Sequence, residues 1–321
     1  MKRLILLFFS LPIISSSYLD YSHPYHPTSS DKGMVVSQNY LSSDIGAKIL
    51  SKGGNAVDAA IAVGFSLTAT LPRAGNIGGG GFMLIYNASE KTVISIDFRS
   101  MAPASASYDF YHKDGKRLPD ISTGYKSIAV PGTVAGLLKA HDLYGSLPLA
   151  ELIQPTLDLL EAGVPITEDL FFALGSEEQL QEDDESVSIY LNNGVVRGGL
   201  LRNPDLVLTL KRIIKNGAAG FYEGETADLF EKAMIANGGL IRKSDMAQYK
   251  AQLSEPISVS YKGHTVYSQG PPSGGGIAIL SSLKIFEQFN AEDFAPNKAS
   301  FYHLLAEIMK FGHQNLSLIH I

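Results

Sequence analysis

A run of glycines restricts most strongly what this chain can fold into. In AGNIGGGGFMLIYN, residues 74–87, five of the seven positions from 75 to 81 are glycine, and an apolar run follows directly. A phosphate-binding loop would need G-x-x-x-x-G-K-[ST], or G-x-G-x-x-G between a strand and a helix. Here Gly80 is followed by Gly81 and Phe82, and the glycines follow a predicted helix and precede a strand. Two interpretations remain open: close packing of the helix against the strand, or a backbone that a substrate can approach.

The pattern around the glycines predicts an α/β fold. Two helices are expected before them, the first capped by Ser42 or Ser43 and the second capped by Asn55. The second is apolar on nearly all sides, which is typical of a buried helix. Further helices are predicted at 149–162, 203–216, 224–237 and 276–289, and a hairpin around Lys262-Gly263. Segment 176–200 is acidic and then glycine-rich, which predicts a solvated surface excursion.

One predicted strand, TVISIDFRS, alternates apolar and polar residues with a period of two. Its apolar members are Ile94, Ile96 and Phe98, and its polar members are Ser95, Asp97 and Arg99. The apolar trio is therefore expected to face a core and the polar trio to face the other way. Arg99 has two interpretations that the spacing leaves open. It forms an ion pair with Asp97 on the same face, or its guanidinium binds a carboxylate ligand.

Composition and charge exclude several classes of function. The chain has 321 residues, 45% of them hydrophobic, and a net charge of −6 with scattered Lys and Arg. A nucleic-acid partner is not expected, because phosphate binding needs a concentrated basic patch. There is no Cys, and none of the eight His stands in H-E-x-x-H spacing, so we expect neither metal nor cofactor. Ser273 in GPPSGGG lacks the G-x-S-x-G frame of a serine hydrolase and is expected to cap a helix.

The N-terminus predicts export. Lys2 and Arg3 precede the apolar run LILLFFSLPII, residues 4–14, and three serines follow, which is the architecture of a secretory signal peptide over residues 1–17. That apolar run is too short to span a bilayer, which takes ~20 residues, so no membrane span is expected in the mature protein. We expect a periplasmic or extracellular protein with an exposed leader at 18–32.

Six motifs occur in order along the chain. They are GGNAVDAAIAVGFSL, AGNIGGGGFMLI, DFRSMAPASA, AVPGTVAGL, NGGLIRKSDMAQY and PPSGGGI. Together they resemble the gamma-glutamyltranspeptidase (glutathione hydrolase) family, over about residues 33 to 310. Each motif alone is weak, whereas the ordered combination is highly specific.

The resemblance implies a fold and a reaction. Members of the family are N-terminal-nucleophile hydrolases, in which two sheets lie between helical layers as an αββα sandwich. A precursor cuts itself into a large and a small subunit and exposes a threonine, whose hydroxyl attacks a γ-glutamyl donor such as glutathione. The acyl group then passes to water, an amino acid or a peptide. In the family the arginine of R-x-M-A-P grips the α-carboxylate of the substrate, which implies that role for Arg99 in RSMAP.

The matching region, residues 33–315, is similar to the large subunit of that family. The small subunit is therefore an expected partner, and the sandwich is expected to be incomplete without it. The nucleophilic threonine is expected beyond the last residue, so we expect no catalytic residue in this chain and no activity from it alone. The final residues LSLIHI, 316–321, do not continue the family pattern and are expected to be a non-native tail.

Two other functions stay open at this point. A relative on the same scaffold could act on another amide, as an acylase or a poly-γ-glutamate hydrolase. A non-catalytic exported protein could instead have kept the scaffold to bind glutamyl peptides. A small-subunit sequence with its threonine, in frame further along the gene, would favour an enzyme, and a true stop codon would favour the binding protein.

Overall fold

The computed structural model describes residues 29–176, 178–191, 195–289 and 298–319, and Val35 onward belongs to one compact unit. The signal peptide predicted at 1–17 lies outside the described residues, as does most of the leader predicted at 18–32. In the predicted tail, 316–319 continue the last helix. The boundaries predicted for these three segments therefore stay predictions.

The described part of the chain is rich in helix. The α-helices are α1 (Tyr40–Ser51), α2 (Ala56–Thr70), α3 (Pro72–Gly75), α4 (Tyr108–Tyr111), α5 (Thr133–Tyr144), α6 (Leu149–Ala162), α7 (Glu168–Ser176), α8 (Asp184–Ser186), α9 (Pro204–Asn216), α10 (Ala219–Tyr222), α11 (Gly224–Ala236), α12 (Lys243–Gln248), α13 (Gly274–Phe286) and α14 (Ala299–Ile319). The four helices predicted from periodicity are α6, α9, α11 and α13, each within three residues of its expected ends. None of the helices in the described ranges has the length and apolar content that crossing a bilayer demands.

The strands form one three-stranded sheet and several two-stranded ones. They are β1 (Gly81–Asn87), β2 (Thr92–Phe98), β3 (His112–Lys113), β4 (Lys116–Arg117), β5 (Val164–Pro165), β6 (Leu200–Leu201), β7 (Gln252–Ser254), β8 (Ile257–Tyr261) and β9 (His264–Ser268). The main sheet has the order β1-β2-β7, and both of its pairings are antiparallel. Strands β8 and β9 form the hairpin predicted around Lys262-Gly263, two residues with positive φ of 47° and 81°.

The layers meet at α5. This helix packs against the buried helix α2 on one side and against β1 and β2 on the other, so it joins the helical core to the main sheet. Helix α2 also packs against α1 and α6, and α13 packs against the β8–β9 hairpin. The structure is thus the α/β arrangement that the sequence predicts.

The first helix begins earlier than predicted. Its cap is Asn39, whose side-chain oxygen accepts a hydrogen bond from the backbone N–H of Leu41 (3.0 Å). The prediction that Ser42 or Ser43 caps α1 is wrong, because both lie inside its first turn. Ser42 is fully buried, and its hydroxyl bonds that of Thr70 at the end of α2 (2.8 Å). Ser42, which the sequence offered as a cap, therefore links α1 to the end of α2.

The second helix has the cap that was predicted. Asn55 accepts hydrogen bonds from the backbone N–H groups of Val57 and Asp58, and the Asp58 carboxylate accepts the N–H of Asn55 in return. Asp58 is fully buried, and it also accepts hydrogen bonds from the N–H groups of Ser146 (2.9 Å) and Leu147 (3.3 Å). Burial opposes ionisation, yet the hydrogen bonds from Ser146, Asn55 and Leu147 lower the pKa of Asp58 below its usual value. One carboxylate therefore fixes the start of α2 and the turn after α5.

Both faces of β2 are covered in the middle of the strand. Ile96 is fully buried on the core side, as predicted. Ser95 points the other way but is also fully buried. Its hydroxyl donates to the side-chain oxygen of Gln269, which is buried as well. Gly276 of the PPSGGGI motif packs directly against the backbone of Gln269. A Cβ at position 276 would lie 1.9 Å from the carbonyl oxygen of Gln269. Ser273 occupies the cap position of α13 as predicted but makes no side-chain capping bond.

Replacing Asp58 by Asn tests this buried carboxylate. The amide nitrogen would face an N–H donor, so we expect Asp58→Asn to lower the free energy of unfolding by about 1–3 kcal/mol at pH 7. Because the folded-state pKa is lowered, the stabilisation by Asp58 is present above the unfolded-state value of about 4 and is lost as pH falls through the folded-state value. Urea unfolding should therefore show that the free energies of unfolding of the parent and of Asp58→Asn differ less at pH 3 than at pH 7. Asp142→Asn, at an exposed position, is the control. A difference that stays constant from pH 7 to pH 3 would contradict the account.

Candidate functional site

Arg99, the site residue predicted from the sequence, lies directly after β2 with an exposed side chain. Its backbone N–H donates to Asp97 Oδ1 (2.9 Å). Among the residues that the structure describes, none forms an ion pair or a hydrogen bond with its guanidinium. The alternative interpretation, an Asp97–Arg99 ion pair, is therefore wrong. The carboxylate binds the backbone of Arg99 and leaves its charge available.

The last two glycines of the run, Gly80 and Gly81, lie against the end of β2. A Cβ at Gly80 would be 2.5 Å from the backbone nitrogen of Ser100 and 2.6 Å from the carbonyl oxygen of Phe98, and one at Gly81 would be 3.0 Å from the Phe98 ring. Gly79 contributes its carbonyl oxygen, which accepts the N–H of Gly132 (2.7 Å). Close packing thus explains the end of the glycine run. At Gly79 a Cβ would meet nothing closer than 3.4 Å, so approach of a substrate to that backbone stays a hypothesis.

Two glycines at the start of α5 also pack against Phe98 at the end of β2. A Cβ at Gly132 would lie 2.0 Å from the carbonyl oxygen of Phe98, and one at Gly136 would lie 2.0 Å from the Phe98 ring. No side chain can be accommodated there without moving backbone. The glycines of AVPGTVAGL and of the run before β1 therefore hold Phe98 from two directions, immediately before Arg99.

The segment after Arg99 is held by two further elements. Met101 exchanges backbone hydrogen bonds with Val130 in both directions (3.2 and 2.8 Å). The N–H of Ala104 donates to Asp245 Oδ1 (2.9 Å), while the other oxygen of Asp245 accepts the N–H of Arg242 (2.8 Å). The RSMAP segment is therefore attached to both the AVPGTVAGL and the NGGLIRKSDMAQY motifs.

Two stacked tyrosines complete the surroundings of Arg99. Tyr249, just after α12, donates its hydroxyl to the carbonyl oxygen of Arg99 (2.8 Å). Its ring stacks on that of Tyr222, with centroids 5.8 Å apart and an interplanar angle of 6°. Tyr222 donates to the carbonyl oxygen of Pro131 (2.9 Å) and accepts the N–H of Ala135 (3.1 Å). Burial raises the pKa of both phenols, so both hydroxyls stay protonated at neutral pH.

The sequence did not assign roles to several of these residues. Tyr249 and Asp245 lie in a quoted motif, but only the resemblance marked it. The spacing of Arg242 and Asp245 matches a helix cap and could have identified Asp245. No sequence pattern near Tyr249 indicates its role, because its partner Arg99 lies 150 positions earlier.

The chemistry available here is recognition of an anion. An exposed guanidinium on an immobilised peptide can bind a carboxylate through two parallel hydrogen bonds. In the described ranges no group of three or more His, Cys, Asp or Glu is placed to hold a metal ion.

A cavity of about 650 Å³ lies elsewhere, and Arg99 does not line it. Its walls include Leu170, Leu174, Leu180 and Tyr190. Leu180 and Tyr190 belong to segment 176–200 and pack against the hydrophobic core, although acidic residues such as Glu182 and Asp184 are exposed. The prediction of a solvated excursion is therefore wrong for the apolar part of this segment. Its acidic composition masked a few apolar side chains at positions that turn inward.

Comparisons with known proteins agree with the motif set. A sequence model of the family described as Gamma-glutamyltranspeptidase matches residues 42–317. The glutathione hydrolase proenzyme of Escherichia coli (strain K12) is 40% identical over 300 residues, which cover 91% of this chain and 51% of that protein. The Acylase ACY 1 proenzyme of Pseudomonas sp. (strain SE83) is 34% identical over 313 residues, which cover 94% of this chain and 56% of that protein. The chain thus spans about half the length of the curated relatives that it matches.

A solved structure shows the same fold. The crystal structure of Helicobacter pylori gamma-glutamyltranspeptidase matches with a TM-score of 0.86 at 36% identity, covering 92% of this chain and 85% of that chain. This likeness confirms the predicted fold class, the α/β architecture of N-terminal-nucleophile hydrolases.

Gly132→Ala tests the close approach around Phe98. The added Cβ would meet a carbonyl oxygen at 2.0 Å, so we expect a loss of about 1–3 kcal/mol in the free energy of unfolding, or no soluble protein. Gly175→Ala is the matched control, because a Cβ there meets nothing within 4 Å and the residue lies in α7. We expect that control to unfold at the same urea concentration as the parent or slightly above it. Equal urea midpoints for the two variants would contradict the packing described here.

Proposed function

The chain belongs to the gamma-glutamyltranspeptidase family, and on that premise we propose that it is the large-subunit portion of a glutathione hydrolase. The observation that carries the proposal is the guanidinium of Arg99, which has no bonded partner among the described residues, while the backbone N–H and carbonyl groups of Arg99 are both bonded. Four of the six motifs that resemble the family meet at this residue and its immediate neighbours. The lengths support the assignment, since the chain corresponds to about half of the E. coli proenzyme.

In the proposed reaction Arg99 binds the α-carboxylate of a γ-glutamyl donor such as glutathione. The donor is then oriented with its γ-amide toward a threonine hydroxyl, which we place in the part of the relatives that this chain does not span. That hydroxyl attacks the amide carbonyl, the amine leaves, and a glutamyl ester forms on the enzyme. Water, an amino acid or a peptide then takes the glutamyl group and frees the hydroxyl. This chain contributes recognition of the donor, and the small subunit contributes the attacking group.

The two alternative functions differ in what they require. An acylase is a family relative, but Acylase ACY 1 is less similar to this chain (34%) than the E. coli glutathione hydrolase (40%). A binding protein would need the carboxylate-binding arginine but no turnover. Release of product from a γ-glutamyl amide separates both of these from the proposal. A poly-γ-glutamate hydrolase also cleaves γ-glutamyl amides and is separated by its preference for the polymer over glutathione.

We also propose export, on the signal-peptide architecture of residues 1–17. The mature protein made by its native host should begin near residues 16–19 and be found outside the cytoplasm. Edman sequencing of the native protein measures this start directly. Recovery of Met1 at the N-terminus would show that the segment is retained.

Arg99→Lys tests the proposed function in the protein encoded by the complete gene. Lysine keeps the charge but offers a point donor in place of a planar fork. Truncating one partner of a charge pair costs about 2–5 kcal/mol once the bound donor buries the pair, so we expect kcat/KM for γ-glutamyl-p-nitroanilide to fall by roughly 30-fold or more. The melting temperature should not change, since the guanidinium has no bonded partner among the described residues.

The control is Arg73→Lys, at an arginine that pairs with Asp169 at the surface (2.7 Å). We expect normal donor kinetics from it, and the 321-residue chain alone serves as the blank. A stable Arg99→Lys enzyme with unchanged kcat/KM would remove Arg99 from the site. A complete protein that releases no p-nitroaniline would refute the hydrolase.

A further inference from the structure

Both backbone polar groups of Arg99 are bonded to side chains rather than to a neighbouring strand. Asp97 accepts its N–H (2.9 Å), and Tyr249 donates to its carbonyl oxygen (2.8 Å). An exposed residue at the end of a strand would ordinarily leave these groups to water. We propose that Tyr249 is a positioning residue, which holds the Arg99 peptide so that its guanidinium meets the donor carboxylate. This inference rests on the function proposed above.

Tyr249 is itself rigidly placed. It is only 8% exposed, and its ring lies flat against that of Tyr222. The missing side chain at Gly132 makes room for its hydroxyl, because a Cβ there would lie 2.3 Å from the phenol oxygen. The hydroxyl therefore has one position available, and in it the carbonyl oxygen of Arg99 is the acceptor.

The hydroxyl also stays a donor over the working pH range. Burial, with a smaller contribution from the charge of Asp97, raises the pKa of Tyr249 to about 12. A phenolate could accept but not donate, so the bond to Arg99 requires the neutral form. At any pH below about 11 the phenol is neutral, and the position of Arg99 does not depend on its titration.

A fixed peptide matters because arginine has a long and flexible side chain. The two parallel hydrogen bonds of a guanidinium–carboxylate pair need both groups in one plane, and each loosely held torsion weakens that geometry. If the backbone at Arg99 could rotate, the Cα–Cβ bond from which the side chain extends would change direction. Holding the carbonyl group therefore reduces the conformational entropy that donor binding has to remove.

The neighbouring tyrosine provides a matched control. Tyr222 belongs to the same stack, but its hydroxyl bonds Pro131 and Ala135 and does not touch Arg99. Tyr222→Phe removes a buried hydroxyl and leaves the N–H of Ala135 without its partner, so it should lower the melting temperature. It should not change how the enzyme treats the donor carboxylate.

The experiment compares two donors in the complete enzyme. One is γ-glutamyl-p-nitroanilide, and the other is 4-aminobutyryl-p-nitroanilide, which is the same molecule without the α-carboxylate. We expect Tyr249→Phe to raise KM for the glutamyl donor about three- to tenfold, the range for loss of one hydrogen bond, with kcat changed less than about twofold. The aminobutyryl donor should keep its kcat/KM within about twofold. Added to Arg99→Lys, the Tyr249→Phe change should cause no further loss.

Inhibition by glutamate and by 4-aminobutyrate gives the same comparison as a ratio of inhibition constants. Equal losses for both donors or both inhibitors in Tyr249→Phe would show a purely structural role and overturn the inference. So would a Tyr222→Phe enzyme with the same selective loss. If Arg99→Lys leaves kcat/KM unchanged, Arg99 does not bind the donor and the inference falls, whereas the hydrolase itself is refuted only if the complete protein releases no p-nitroaniline. If Arg99→Lys loses activity but Tyr249→Phe does not, only the inference fails.

Discussion

The close approach of three backbone segments at the end of β2 is the constraint on which the rest of the structure depends. Gly80 and Gly132 lie so near the carbonyl oxygen of Phe98 that a Cβ at either position would overlap it. Glycine is required for this contact because every other residue carries that atom. The contact brings the helical layer, through α5, onto the sheet, and it presents Arg99 at the junction. The last glycines of the run, Gly80 and Gly81, thus serve close packing against the end of β2.

Pairing with β1 ends at Phe98, and beyond it side chains bond the backbone beside the Met101–Val130 bridge. Asp97, Tyr249 and Asp245 each bond a backbone group in or beside the RSMAP segment. These bonds satisfy polar groups that would otherwise lose solvent without compensation. They also divide the tasks at the site. The partners hold the backbone, and the guanidinium of Arg99 bonds none of the described residues, which leaves it available for the ligand that we propose.

Local patterns predicted most of the longer helices and strands and singled out Arg99 as a candidate for the site. The buried helix α2, the cap at Asn55 and the two strands after the glycines follow from hydrogen bonds and periodicities that extend over a few residues. The errors have a common cause. Ser42 has the composition of a cap, and segment 176–200 has that of a solvated loop, yet tertiary contacts gave both a buried role. Composition cannot show which side of an element another part of the chain will cover.

The sequence by itself determined the family, through motifs in a fixed order, and singled out Arg99 within it. Spacing alone could not decide whether Arg99 pairs with Asp97 or remains free, because neighbours on one strand face are close enough for either. The structure decided this, because the Asp97 carboxylate accepts the backbone N–H of Arg99, two positions later, and not its guanidinium. It also identified Tyr249, which is 150 positions away along the chain. The physical reason is range: capping, periodicity and the Asp97 bond act within a turn or a strand, whereas Tyr249 reaches Arg99 only through the packing of segments that are distant along the chain.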